Sequence, residues 1–139
     1  MGKMTDKQKL WRIFAEFIRL RDAPDGYGNC VSCNKMVSYP NGTGAWHAGH
    51  FLPRSVTYNS VYFDERNVNG QCIHCNYFLE GNTEQYRKGL IRKYGEGIID
   101  DLDVKRLTGI SKMYPFEYQE LTKMYRVKVK EMKKQRGIS

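Results

Sequence analysis

The chain predicts an α+β fold, a small zinc-clamped core flanked by N-terminal and C-terminal helices. Three observations carry that expectation. Four cysteines stand in two tight pairs, Cys30-Val31-Ser32-Cys33 and Cys72-Ile73-His74-Cys75, with 38 residues between them. Apolar residues recur at helical spacing at both ends of the chain. Turn-rich sequence with two short β-compatible runs fills the middle.

The first element is a helix from Thr5 to Arg21. Thr5 with Gln8 matches a capping box, and Leu10, Phe14, Phe17 and Ile18 mark a buried face. Lys7, Lys9, Arg12 and Arg19 make the polar remainder, read as a solvated side with DNA contact as the alternative. Residues 22–29 break the chain and deliver it to the first cysteine knuckle. Lys35 to Tyr39 is a short strand, Pro40-Asn41-Gly42-Thr43-Gly44 a turn, and Ala45 to Leu52 the return strand of a hairpin carrying Trp46, His47 and His50. Pro53 to Arg66 reads as loop. The second knuckle leads into a short helix starting at Cys75 or Asn76. Asn82 or Thr83 caps a helix that runs through Tyr94 and stops at Gly95. Another short helix spans Glu96 to Leu107. From Pro115 to about Gln135 the pattern is helical again, with Leu121, Tyr125, Val129 and Met132 on one stripe and basic residues crowding the rest. That stripe suits the core, a second copy or a phosphate backbone equally well. These elements divide one domain, residues 1–139, into an N-terminal helix (1–22), a clamped core (30–80) and a helical C-terminal part (82–136).

Each knuckle places two thiolates close enough to share one ion, and four complete the closed tetrahedron of structural zinc. A redox pair needs only one knuckle, and an iron–sulfur cluster is the other alternative. A site closed by Cys30, Cys33, Cys72 and Cys75 has no open position for water, so this zinc stabilises and does not react. His74 is read as a bystander. Net charge is +8, from 23 basic and 15 acidic residues, which favours a polyanion partner, nucleic acid first. No run of about 18 apolar residues is present, so no membrane span is expected. The absence of a signal-peptide core points to a cytoplasmic address, where thiols stay reduced and take metal.

Chemistry that the clamp does not need lies beside it. Hydrolysis of a phosphodiester requires an activated water, charge stabilisation at the phosphoryl oxygens and help for the leaving oxygen. The segment from Trp46 to Phe51, with His47 and His50, and the pair Cys75-Asn76 supply suitable groups once the clamp draws them together. Cys-x-x-Cys, Gly49-His50-Phe51, Asn67 five positions before Cys72, and Cys-x-x-Cys-Asn resemble the HNH (ββα-metal) endonucleases, in the order and spacing of the zinc-clamped phage endonuclease VII type. A longer match, through Trp46 to Arg54, Phe63-Asp64-Glu65-Arg66-Asn67, Gln71 to Asn76, Gly81-Asn82, and Tyr86 with Leu90, resembles the phage NinG/Rap recombination endonucleases over about residues 8 to 134.

The resemblance implies an HNH core for the clamped region. It implies His50 as general base, Asn76 as ligand of a catalytic Mg2+ or Mn2+, and Asn67 as the brace behind the base. Arg54 is a candidate phosphate clamp from its charge and proximity to His50. One departure stands out: where such enzymes often carry Asp or His before the base, this chain has Gly49. His47 is the substitute ligand, with Glu80 and Asp64 as alternatives. Strand alternation sets His47 and His50 on opposite faces unless a bulge at Gly49 intervenes. The resemblance further implies branched DNA such as Holliday junctions, a homodimer to cut them symmetrically, and a phage or prophage protein in a bacterial cytoplasm. Two other readings stay open. One is a non-catalytic zinc-stabilised nucleic-acid-binding module, which the Tyr-rich loop with Tyr58 and Tyr62 also suits. The other is a zinc-stapled adaptor.

Overall fold

Along the chain run helix α1 (Asp6–Arg21), strands β1 (Tyr27–Asn29), β2 (Met36–Ser38) and β3 (Trp46–His50), and a 3₁₀ helix, Val56–Val61. After these come β4 (Val68–Cys72), a π-helical turn His74–Phe78, and helices α2 (Thr83–Tyr94), α3 (Ile98–Thr108) and α4 (Pro115–Arg136). The computed structural model describes residues 2–42, 44–54 and 56–138, without the side chains of 56–58. The Thr43 part of the expected turn and the Tyr58 side chain therefore lie outside the described residues.

Helix α1 starts as its sequence dictates. Thr5 Oγ1 accepts from the Gln8 backbone N–H at 3.1 Å, and Gln8 Oε1 accepts from the Thr5 N–H at 2.8 Å. Leu10, Phe14, Phe17 and Ile18 are buried and pack against Tyr125 and Val129 of α4 and Val68 of β4. The α4 stripe is thus core, with Leu121 and Met132 at its margin. A second cluster joins Val61, Tyr86 and Leu90 to Ile98 and Leu102, fixing α2 and α3 under the 3₁₀ helix. Among the described residues no helix is long and apolar enough to cross a membrane.

The strand pairing corrects the expected hairpin. β2 pairs antiparallel with β1, and β3 pairs antiparallel with β4, Trp46 opposite Cys72 and His50 opposite Val68. The first knuckle is the cause. Asn34 N–H donates to Cys30 O at 2.8 Å, Cys30 N–H to Lys35 O at 2.9 Å, and Asn34 takes φ 64, so the chain reverses inside the knuckle and lays β2 on β1. Freed from β2, β3 takes the fully buried β4 as partner. The segment expected as loop from Pro53 to Arg66 instead contains the 3₁₀ helix.

Trp46 joins the two sheets. It is buried with Cys30, Cys72 and Cys75, and its Nε1–H donates to Arg19 O at 3.1 Å. A Cβ on Gly70 would lie 2.0 Å from the indole ring and one on Gly28 2.3 Å, so the ring fits only between two glycines.

Candidate functional site

The clamp forms as the spacing implies. The Sγ atoms of Cys30, Cys33, Cys72 and Cys75 all lie within 4.8 Å of one another, and Cys33 Sγ is 3.7 Å from Cys72 Sγ. A tetrahedral zinc with Zn–S bonds of about 2.3 Å spaces its sulfurs by about 3.8 Å, so these four can bind a metal such as zinc. Backbone and side-chain donors support the sulfurs: Cys75 N–H points at Cys72 Sγ (3.5 Å) and Asn82 Nδ2 at Cys75 Sγ (3.4 Å). Burial pushes the Cys75 thiol up to about 12, which a bound cation would reverse. Asn82 stands at the expected N-cap of α2, but in the left-handed region at φ 44 and with no side-chain cap bond, because its amide serves the thiolate. His74 is exposed and outside the cluster.

One open cleft, about 580 Å³, gathers His47, His50, Arg54, Asn76 and Glu80, together with Trp11 and Tyr77. β3 positions the two histidines. Pairing is regular through Gly49 opposite Asn69, with no bulge, so they leave the strand on opposite faces, and both line the cleft. His47 Nδ1 lies 3.0 Å from Asn76 Nδ2. Asn76 sits in the π turn closed by Leu79 N–H to His74 O at 2.8 Å, a wider turn that follows directly from the zinc knuckle. The amide nitrogen can only donate, so His47 Nδ1 accepts from it, which leaves Asn76 Oδ1 and His47 Nε2 as the atoms that suit a divalent cation keeping part of its water shell.

His50 stacks on Trp11, ring centroids 4.9 Å apart, and its Nε2 is 2.8 Å from Tyr62 O. A carbonyl oxygen only accepts, so the ring proton sits on Nε2 and the neutral imidazole presents Nδ1 as the basic atom. Burial lowers its pKa to about 4, with Arg54 and Lys7 acting in the same direction and the Tyr62 carbonyl opposing them. Asn67, fully buried, holds the chain on both sides of this contact. Its Oδ1 accepts from Leu52 N–H at 2.8 Å, and its Nδ2 donates to Leu52 O and Val61 O, both at 3.1 Å. Arg54 is exposed, with its guanidinium 5.7 Å from the Trp11 ring centre.

Gly49 has a steric reason. A Cβ there would meet Gln71 Oε1 at 1.9 Å and Asn76 Oδ1 at 2.9 Å, so no acidic side chain fits the position. Its carbonyl accepts from the fully buried Tyr86 hydroxyl at 2.6 Å, which fixes the strand between the histidines. Asp64, one of the alternative ligands, is engaged elsewhere. Arg66 and Lys105 bridge it at 2.9 and 2.8 Å and, against the cost of burial, hold its carboxyl down to about 2. Glu80 lines the cleft, with φ 49. Sequence reasoning missed Trp11, Gln71 and the anchoring role of Tyr86. Trp11 stands next to the apolar stripe, but its role depends on a ring from another element. Beyond the cleft, Trp11 and Arg54 continue into a groove lined by Lys3, Lys7, Arg12 and Tyr62.

Residues 3–135 match the family model described as Bacteriophage Lambda NinG protein. The chain is similar to protein ninG of Salmonella phage P22, 34% identical over 110 residues, covering 76% of this chain and 49% of that protein. It is also similar to protein ninG of Escherichia phage 933W, 34% identical over 85 residues, 61% of this chain and 37% of that one. The corresponding protein of Escherichia phage lambda is 33% identical over 85 residues, 61% of this chain and 36% of its own. The chain thus spans between about a third and a half of the length of these curated relatives. No solved structure matches.

Proposed function

The chain belongs to the NinG family, and from that premise we propose that it is a divalent-metal-dependent DNA endonuclease with an HNH-type site, acting on branched recombination intermediates such as Holliday junctions. The observation that carries this reading is the convergence of His47, His50, Arg54 and Asn76 on one cleft beside a four-cysteine clamp. His50 Nδ1 takes the proton of the attacking water while Nε2–H stays on the Tyr62 carbonyl, whose loop Asn67 braces. Arg54 grips a phosphate from the rim. His47 and Asn76 would hold Mg2+ or Mn2+, which would supply positive charge beside the leaving 3′-oxygen; with a proton from solvent on that oxygen, hydrolysis would leave 5′-phosphate and 3′-hydroxyl ends. Zinc on the four cysteines would keep β4 and the π turn against the first knuckle and, with no open coordination position, would take no part in the reaction.

The groove of Lys3, Lys7, Arg12 and Arg54 with Trp11 and Tyr62 supports a nucleic-acid strand as the occupant, because cations meet phosphates and rings meet bases there. A symmetric cut across a four-way junction needs two sites, hence a homodimer on DNA. The test is incubation of the zinc-loaded protein and its Asn76→Ala variant with labelled four-way junction, flap, single-stranded and linear duplex DNA, with and without Mg2+ or Mn2+. Metal-dependent nicks, greatest on branched DNA and lost in Asn76→Ala, are expected. Salt-sensitive binding without cleavage under either metal would replace the nuclease with a zinc-stabilised binding module.

A further inference from the structure

We infer that Gln71 supplies a third donor, its side-chain Oε1, to the divalent ion assigned to His47 and Asn76. This inference rests on the reading that such an ion binds in the cleft. Gln71 lies on β4 directly opposite His47 and is fully buried. Its Nε2 donates to Ser32 Oγ at 2.8 Å and to Gly81 O at 2.9 Å. The Gly81 carbonyl can only accept, so the amide nitrogen must face it and the oxygen must face Gly49. There Oε1 meets no donor. It is the one buried side-chain nitrogen or oxygen without a hydrogen-bond partner among the described residues. A buried amide oxygen left in that state is costly, and a bound cation would remove the cost.

The surroundings fit a cation. Gln71 Oε1 and Asn76 Oδ1 lie on the same side of Gly49, 1.9 and 2.9 Å from where its Cβ would be, so the missing side chain lets the two oxygens approach each other. The Asn76 Nδ2–H donates to His47 Nδ1 at 3.0 Å, which orients the Asn76 amide and leaves His47 Nε2 as the imidazole donor. Two amide oxygens and an imidazole nitrogen make a neutral set, which leaves the full charge of the ion for a phosphate and keeps room for water. Through Ser32 the same glutamine ties this set to the first zinc knuckle, so the structural metal also aims the donor.

The test is Mn2+ binding to the zinc-loaded full chain without DNA, read from the electron paramagnetic resonance signal of free Mn2+, with zinc content and near-ultraviolet circular dichroism as checks on folding. Wild type should bind Mn2+, and Asn76→Ala should weaken it. Gln71→Met should weaken it by about tenfold or more. Gln71→Asn keeps an amide but draws its oxygen back by one methylene, so it should weaken binding too even if the Met variant does not fold. Unchanged affinity in folded Gln71→Asn, with the Asn76 effect intact, overturns the inference and leaves the ion site standing. Absence of Mn2+ binding by folded wild type overturns both.

Discussion

At the scale of single residues, His50 is kept neutral by its surroundings. Burial against Trp11 and the nearby charges of Arg54 and Lys7 hold its pKa at about 4, below the ordinary 6.5. The folded protein therefore binds fewer protons than the unfolded chain between those values. The contribution of His50 to stability is complete above pH 6.5 and is lost as pH falls toward 4. Urea unfolding of wild type and His50→Gln at about pH 7 and about pH 4.5 should show the larger acid loss in wild type. Equal losses would remove the buried neutral imidazole. Tyr86→Phe should cost about 1–3 kcal/mol in the same assay, because it removes the buried hydroxyl's bonds to the Gly49 carbonyl and Asn69 Nδ2. The cysteines were legible in the sequence because their chemistry comes with spacing, whereas the roles of His50, Asn67 and Asn76 came only through the family resemblance. Gln71 was not legible, since a glutamine beside a cysteine has no signature until the partner missing from its oxygen is seen. The place of His47 was half legible. Alternation gave its face, but only the π turn explains why Asn76 meets it.

Among the elements, the helices were readable and the sheets were not. α1 and α4 show unbroken apolar stripes and end signals, and both fall within a residue or so of the expected bounds. β4, Val68-Asn69-Gly70-Gln71-Cys72, is buried throughout yet looks polar. Its burial is made possible by side-chain hydrogen bonds that no periodicity shows: Asn69 Nδ2 donates to Arg66 O at 2.9 Å, and Gln71 to Ser32 and Gly81. With β4 unrecognised, β3 had no visible partner except the Lys35 to Tyr39 run. The approach of Gly70 to Trp46 gives a direct check of the observed pairing. Gly70→Ala would drive a methyl into the Trp46 ring and should destabilise by about 1–3 kcal/mol or more, read as a lower urea midpoint. A neutral result would mean that Trp46 does not sit across that strand.

For the whole molecule, two properties set behaviour: the clamp and the charge. The cysteine cluster joins the two sheets and carries the π turn that bears Asn76, so metal removal should unfold the centre as well as empty it. Chelator treatment, or Cys75→Ser, is expected to abolish the near-ultraviolet dichroism of Trp46, and added zinc should restore it in wild type alone. The +8 charge and the groove of Lys3 and Arg12 predict DNA affinity that falls steeply with salt. Replacing both residues with Ala should flatten the logarithmic salt slope by about 0.9 for each phosphate that is no longer neutralised. An unchanged slope would place the strand elsewhere on the surface.

The central claim is that His50 activates the attacking water. The most direct measurement is single-turnover cleavage of a labelled four-way junction by zinc-loaded wild type and His50→Ala, with Mg2+ present and DNA binding measured in the same samples. A base in that position predicts unchanged binding and a rate lower by about a hundredfold or more in the variant. Cleavage by His50→Ala at the wild-type rate would contradict it.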